Sequence, residues 1–383
     1  MTKKHFLFIS CMNYSDWGGS EELWSQSAIR LKYLGHNVSA SVGGLTFQHH
    51  KSQMMIESGI DVLKRGPVRY QRVKNLLYNE ILRKSINFQK IAFEKWVIEN
   101  SPDLIIINQP TNNEGIEWLG LLQKVSIPYV VISQSAADFQ WPSNHQAQQL
   151  RKLFENSLCN YFVSHQNHQL TEYLVGDYIP NANVVFNPFK VNYQQDFQWD
   201  FMNTIPKIAV VARVEPHSKG HDLLLLALKN LGDSCPNFEI SFFGGGENQD
   251  VISRMITRLD LPNVYMRGFV SDISKIWSEH EMLLLPSRSE GFPLALIEAA
   301  LCGRPAIVTD VGGNTELVKD GATGYLIESR EVHSVASGLV RALKEREKWK
   351  MMGQNMMNKA RSLIPKDPIS DFSDKLENLA QNL

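Results

Sequence analysis

Two carboxylates, Glu290 and Glu298, stand eight residues apart in the segment Pro286-Ser-Arg-Ser-Glu290-Gly-Phe-Pro-Leu-Ala-Leu-Ile-Glu298. The apolar run Glu281-Met-Leu-Leu-Leu-Pro286 ahead of them reads as a buried strand, and Pro293 reads as the first residue of a helix that Gly303 ends. Leu294, Ile297 and Leu301 then form its core-facing stripe, and Glu298 falls on the edge of that stripe. A carboxylate there is costly unless something hydrogen-bonds it. The two hydroxyls of a ribose would do so, while Glu290 in the preceding loop faces a sugar and the backbone from Gly291 through Phe292 and Pro293 to Leu294 faces phosphate at the helix N-terminus. The alternative is a solvated Glu290 and a Glu298 paired with a basic side chain. Spacing alone does not choose between them.

Other residues supply complementary charge. The strand Ile208-Ala-Val-Val-Ala ends at Arg213, and Lys219 precedes a helix at Leu223–Leu231. Two cations at the C-terminal edge of a parallel sheet suit a diphosphate, although a surface Lys and an Arg at a strand end are also commonplace. Gly244, in Ser241-Phe-Phe-Gly-Gly-Gly, allows a tight turn close to a ligand or is simply a turn. Arg267 and Phe269 have the chemistry to lie on a base face, against the alternative of a solvated Arg and a core Phe. Asn314 or Thr315 in Gly312-Gly-Asn-Thr-Glu316 suits an N-cap. Near the N-terminus, Gly18 and Gly19 begin a helix carrying Leu23, Trp24, Ile29 and Leu31, where glycines bring N–H groups to an anion or serve sterics alone.

The stretch from Glu290 to Glu298, continued by Gly303-Arg-Pro-Ala-Ile-Val-Thr-Asp-Val-Gly-Gly313-Asn-Thr-Glu316 and on to Gly324, resembles the E-x7-E region of the retaining glycosyltransferases of the GT4 family. The resemblance implies the GT-B fold, two Rossmann-like doubly wound domains facing across a cleft. It implies a metal-independent transferase with no cofactor, moving a hexosyl group from a nucleoside-diphosphate sugar, first among them a UDP-sugar, to a hydroxyl acceptor of a glycan, glycolipid or natural product. Arg213 and Lys219 match the family's basic pair that stabilises the departing diphosphate, and Glu290 its contact to the transferred sugar. Gly18 and Gly19 match its Gly-Gly-x-Glu loop facing the donor, with Asp16 near the acceptor. One departure stands out: where many members carry a His, this chain reads Ser133-Gln134-Ser135. Gln134, with Asn108 at the end of the preceding strand, would line the pocket of an uncharged, hydroxylated acceptor. A GT-B nucleotide-sugar epimerase and a catalytically silent sugar-nucleotide-binding protein are the rival readings.

These residues must be held by alternating strands and helices, the signature of parallel sheets. One series of apolar runs is His5–Ser10, Asn37–Val42, Asp103–Asn108, Tyr129–Ser133, Asn160–Ser164 and Asn183–Phe186. A second is Lys207–Val211, Phe238–Phe243, Asn263–Met266, Glu281–Leu285, Ala306–Thr309 and Tyr325–Ile327. The polar, aromatic segment Asn187–Pro206 reads as an interdomain connection. The expectation is an acceptor-side domain over residues 1–190 and a nucleotide-sugar domain over 191–366, followed by a helix at 367–383 that the resemblance sends back to the first domain. Helices are expected over about Ser329–Leu363 and Asp371–Leu383.

A length of 383 residues accommodates two such cores, and a net charge of −1 argues against a nucleic-acid partner. Cys11, Cys159, Cys235 and Cys302 lack metal or disulfide spacing, so a reducing, cytoplasmic setting is expected. His165 and His168 lack the companions of a metal site. The apolar run Phe6–Ile9 is too short for a signal peptide core, and no stretch is long enough to span a membrane. The region Lys64 to Trp96 is basic, with Lys64, Arg65, Arg69, Arg72, Lys74, Arg83, Lys84, Lys90 and Lys95 against only Glu80 and Glu94. It reads as a solvated helical face, or as an acceptor platform that makes peripheral contact with the inner face of a membrane.

Overall fold

The computed structural model describes all residues except Met1, Tyr14, 66–91, 202–204 and 232–235. The chain divides into two compact units, Met1–Pro188 with Asp367–Leu383, and Phe189–Lys366.

The first unit is built on a seven-stranded sheet: β1 (His5–Ser10), β2 (Asn37–Val42), β3 (Asp61–Lys64), β4 (Leu104–Gln109), β5 (Tyr129–Ser133), β6 (Cys159–Phe162) and β7 (Ala182–Val184). All pairings are parallel, in the order β3-β2-β1-β4-β5-β6-β7. In β1, Phe6 and Phe8 enter one core while Leu7 and Ile9 enter the other. That division explains why the strand is a continuous apolar run: both faces of a doubly wound sheet are covered by helices. Helix α1 (Glu22–Tyr33) covers the first face with Leu23, Trp24, Ala28 and Leu31. The C-terminal helix Pro368–Gln381 joins the same core through Phe372, Leu376 and Ala380, and Asp367 caps it by accepting from the N–H groups of Ile369 and Ser370. Parallel strands need such crossovers, so the sheet forces the helices into place.

The second unit has six strands: β8 (Lys207–Val211), β9 (Glu239–Phe243), β10 (Val264–Gly268), β11 (Met282–Leu285), β12 (Ala306–Thr309) and β13 (Gly324–Ile327). Their order is β10-β9-β8-β11-β12-β13, all parallel. Chain order reverses between β8 and β11, and the loops beyond the carboxyl ends of those two strands flank the crevice where doubly wound sheets bind ligands.

Three expectations need correction. Residues beyond Phe189 are not a free connection but a strap on the second unit. Tyr193 Oη donates to the carbonyls of Arg361 and Ile364 at 2.8 and 2.9 Å, and Arg304 donates to the Gln198 carbonyl at 2.7 Å while its guanidinium lies over the Trp199 and Phe201 rings. The aromatics that give this segment no periodicity are there to cover Arg304. The helix expected over Ser329–Leu363 is two helices, Val332–Lys344 and Trp349–Leu363, with a single 3-10 turn at Arg346–Lys348 between them. Strand β3 had no apolar run to announce it, because its side chains are exposed or half-buried. Among the described residues no helix is long and apolar enough to cross a membrane.

Candidate functional site

In the second unit the site is assembled from loops at the carboxyl edge of the sheet. Beyond β8, Glu215 caps the short helix Pro216–Lys219 by accepting from the Ser218 N–H at 2.9 Å, and Gly220 ends it with φ of 67°. This cap and this glycine orient Lys219. Its ammonium lies 2.6 Å from Glu290 Oε2, and Ser287 Oγ donates to the other carboxylate oxygen at 2.8 Å. Glu290 is 6% exposed. It is therefore neither solvated nor alone: two chain groups hold it across the reversal between β8 and β11. The two loops are also tied by backbone, since the N–H of Arg288 donates to the Ser218 carbonyl at 2.7 Å, and Arg288 makes a two-pronged pair with Asp222 at 2.8 Å each.

Arg213 is exposed, and its guanidinium makes no hydrogen bond or ion pair among the described residues. An unpartnered cation on the same post-β8 segment as a fixed one is chemistry suited to an anion. Gly244, with φ of 128°, lies so close to the Ala212 carbonyl that a Cβ would fall 2.1 Å from the oxygen. Its steric role is thus clear: it lets the turn after β9 pack against the Arg213 loop, where the Val214 N–H donates to the Gly245 carbonyl at 2.9 Å. Arg267 is exposed, donates to Ser241 Oγ at 3.3 Å and lies over the Tyr265 ring. Phe269 is 76% exposed, not a core residue.

The helix after Glu290 runs Leu294–Leu301, with Pro293 as its extended N-cap at ψ of 123°, one residue later than expected. Glu298 is 4% exposed and accepts from the Lys190 N–H at 3.0 Å. Among the described residues no Arg or Lys side chain pairs with it, against the alternative raised from spacing. Burial pushes its carboxyl up to about 7, with the Lys190 N–H and charge opposing. Phe292 is buried against Gly313, whose N–H donates to the Gly291 carbonyl at 2.6 Å, so the loop after β12 braces the loop after β11.

Gly220 offers a stability test of this assembly. A Cβ there would sit 2.1 Å from the Pro286 carbonyl oxygen, whereas at Gly268, φ 73°, it would meet nothing within 4 Å. Gly220→Ala is expected to cost about 3 kcal/mol in urea unfolding and Gly268→Ala only about 1 kcal/mol, since only the first adds a backbone clash to left-handed strain.

In the first unit, Gly18 is the extended N-cap of the 3-10 turn Gly19–Glu21 that leads into α1. Asp16 is exposed and accepts from the Trp17 N–H at 2.8 Å. Asn108 and Gln134, expected to offer amides to an acceptor, are 1% and 5% exposed and engaged internally. Gln134 Nε2 donates to Asn108 Oδ1 at 2.8 Å and Asn108 Nδ2 donates to Glu21 Oε1 at 3.1 Å. Glu21 was not among the sequence-derived candidates. It is fully buried, and burial pushes its carboxyl up to about 7 against hydrogen bonds from Ser10, Trp24 and Ser20 and the Arg65 charge. Ser287 was missed as well; only the 2.8 Å contact to Glu290 reveals it.

Of the basic region, residues 66–91 lie outside the described residues. Arg65 is not on a solvated face: it donates to the Ser10 carbonyl and to Ser41 Oγ, and lies over the Trp118 ring. Cys11, Cys159 and Cys302 are buried and free, and Cys235 lies outside the described residues. Among the described residues no three His, Cys, Asp or Glu side chains gather as metal ligands. His168 pairs instead with Glu172 at 3.1 Å.

Two parallel-sheet units with this strand order, and a basic and acidic site at the sheet reversal of the second, define the class: a GT-B glycosyltransferase fold. Residues 193–359 match the model of the family described as glycosyl transferases group 1. A UDP-Gal:alpha-D-GlcNAc-diphosphoundecaprenol alpha-1,3-galactosyltransferase of Escherichia coli is 38% identical over 92 residues, which is 24% of each chain. An uncharacterized glycosyltransferase of Haemophilus influenzae is 23% identical over 350 residues, 88% of this chain and 89% of that one. The crystal structure of Anabaena HepE in complex with UDP-glucose superposes with a TM-score of 0.74 at 18% identity, covering 98% of this chain and 100% of that one. The first four curated relatives are matched over only 24% to 41% of their own lengths.

Proposed function

We propose that this chain is a retaining, metal-independent glycosyltransferase that moves a hexosyl group from a nucleoside-diphosphate sugar to a hydroxyl acceptor. The observation that carries the reading is the Lys219–Glu290 pair, 2.6 Å apart at the reversal between β8 and β11, with the unpartnered Arg213 on the same sheet edge. Breaking the glycosidic bond leaves negative charge on the diphosphate, and two cations on that edge, one of them held by Glu290, stabilise the transition state more than the ground state. Glu298 accepts from the ribose diol, and Glu290 accepts from a hydroxyl of the transferred sugar. No protein nucleophile is assigned. The acceptor hydroxyl attacks from the face the diphosphate leaves, gives its proton to a leaving phosphate oxygen, and the product keeps the donor's anomeric configuration.

A UDP-sugar is the favoured donor: the E. coli relative is named for UDP-Gal, and HepE was solved with UDP-glucose. Nucleotide sugar and a hydroxyl-bearing acceptor are the partners; a cytoplasmic setting, with any membrane contact made through the basic region, belongs to the same proposal. The test is a thermal-shift panel of UDP-, GDP- and ADP-sugars, in which a ligand bound only by the folded state raises Tm with the logarithm of its concentration. Product analysis by NMR with and without EDTA follows. A UDP-sugar is expected to stabilise, and an α-linked donor to give an α-linked product at an unchanged rate in EDTA. An inverted product, a C2-epimerised nucleotide sugar or rate loss in EDTA would contradict the reading.

A further inference from the structure

We propose that Arg288 is a positioning residue of the transfer: its guanidinium fixes the one-turn helix that carries Lys219 against the loop that carries Glu290. This rests on the reading of the function above, in which Lys219 stabilises the departing diphosphate. The helix Pro216–Lys219 is four residues long, far below the roughly 12 to 15 residues at which an isolated helix begins to hold itself in water. Its own bonds are few. Glu215 caps it, the Lys219 N–H reaches the Glu215 carbonyl at 3.0 Å, and the Gly220 N–H reaches the Pro216 carbonyl at 2.9 Å. A turn this short takes its rigidity from what it is tied to.

Arg288 ties it on both sides of Lys219. Its Nη1 donates to the Pro216 carbonyl at 2.7 Å, three residues before the lysine, and to Asp222 Oδ1 at 2.8 Å, three residues after it. Nη2 completes the fork on Asp222 Oδ2 at 2.8 Å, and the backbone N–H reaches the Ser218 carbonyl at 2.7 Å. Asp222 stands in the first turn of the helix His221–Leu231, so the left-handed Gly220 between the two helices is bridged as well. The clamp is itself held, since the Arg288 carbonyl accepts from Arg330 Nη1 at 2.9 Å, in the segment after β13. Arg288 precedes Glu290 by two residues, so clamp and carboxylate share one loop. The 2.6 Å contact of Lys219 with Glu290 is thereby set by a local bridge between loops and not by the sheet alone. Arg288 and Asp222 are partly exposed, where an ion pair contributes modestly to stability. What the guanidinium adds is geometry: a planar fork takes both carboxylate oxygens and still has an N–H for a carbonyl, which an ammonium of the same charge does not reproduce.

Arg288→Ala removes a positive charge near the site and Asp222→Asn removes a negative one. A through-space charge effect therefore moves kcat in opposite directions, whereas loss of the clamp lowers it in both. Arg288→Lys keeps the charge, loses the fork, and keeps the test open if Arg288→Ala does not fold. Steady-state release of nucleoside diphosphate from the donor that the thermal-shift panel selects is measured on each variant, alone and in a Lys219→Ala background, with hydrogen exchange over residues 216–222. The expected kcat is about ten-fold lower in Arg288→Ala and Asp222→Asn and about five-fold lower in Arg288→Lys, with donor KM within about three-fold. Exchange is faster over residues 216–222 only, and each variant loses less than about two-fold more once Lys219 is gone. Unchanged kcat in all three variants overturns the proposal alone, as do opposite shifts in Arg288→Ala and Asp222→Asn. So do losses that persist undiminished without Lys219, or that only parallel a global loss of exchange protection. A wild type that releases no nucleoside diphosphate from any sugar of the panel overturns the functional reading, and the proposal with it.

Discussion

Arg213→Ala is expected to lower kcat by about 100- to 1,000-fold while leaving the Kd for the UDP-sugar within about three-fold, the size of effect seen when one donor to a developing oxyanion is lost. The exposed guanidinium has no partner among the described residues, so its removal leaves no buried group stranded and Tm should hold within a degree or two. Ground-state UDP-sugar carries its diphosphate charge spread over a diester-like group. As the glycosidic bond breaks, a further unit of charge builds on the leaving oxygen, and only then does an exposed, unpaired cation gain most of its interaction. Stopped-flow binding and single-turnover rates separate the two quantities. A Kd that rises by the full factor with kcat unchanged would make Arg213 a uniform binding residue and sink its assigned role.

Lys219 differs from Arg213 in being paired before substrate arrives. Removing it leaves Glu290, 6% exposed, with Ser287 as its remaining hydrogen-bond donor among the described residues, so a loss of activity in Lys219→Ala mixes catalysis with the cost of an unpaired carboxylate. That coupling is why the clean test of charge on the leaving group falls on Arg213.

Much of this was legible in the chain. Strands β1, β5, β8 and β12 were read to the residue because strands buried on both faces are largely apolar runs, and β2 through the alternation of Val38, Ala40 and Val42 with small polar residues. The candidate residues of the second unit were legible for a related reason. Their chemistry is local, with Glu290 and Glu298 on one loop and helix, and Arg213 and Lys219 on another. The buried carboxylate of the first unit was not. Glu21 takes its meaning from Ser10, Asn108 and Gln134, residues 11, 87 and 113 positions away along the chain, and no periodicity brings those together. The strap at 189–201 was misread for the same reason, since its aromatics answer to Arg304 and Arg361, not to one another.

Binding of a UDP-sugar is expected to strengthen about ten-fold between pH 6 and pH 8, and to weaken about 100-fold in Glu298→Ala. The free chain holds the Glu298 carboxyl up to about 7 by burial, so at pH 6 it is mostly protonated and at pH 8 mostly ionised. Hydrogen bonds from a ribose diol favour the ionised form, and two such bonds to a charged acceptor are worth on the order of 3 kcal/mol together, about two decades in Kd. A UDP-sugar itself has no group titrating in this window. If only the ionised chain binds, affinity follows its fraction, roughly one tenth at pH 6 and nine tenths at pH 8. Stability of the free chain runs the other way. A carboxyl raised on folding favours the folded state fully below its ordinary value of 4.5 and loses that advantage as pH rises through about 7. Glu21 in the first unit, also raised to about 7, adds a stability trend of the same sign. Glu298→Gln separates the two, because it flattens the pH dependence of binding measured by calorimetry while leaving the Glu21 share of the stability trend in place. A pH-independent Kd in the wild type, or a Glu298→Gln chain whose binding still strengthens between pH 6 and pH 8, would remove Glu298 from the ribose and leave it as a buried partner of the Lys190 N–H alone.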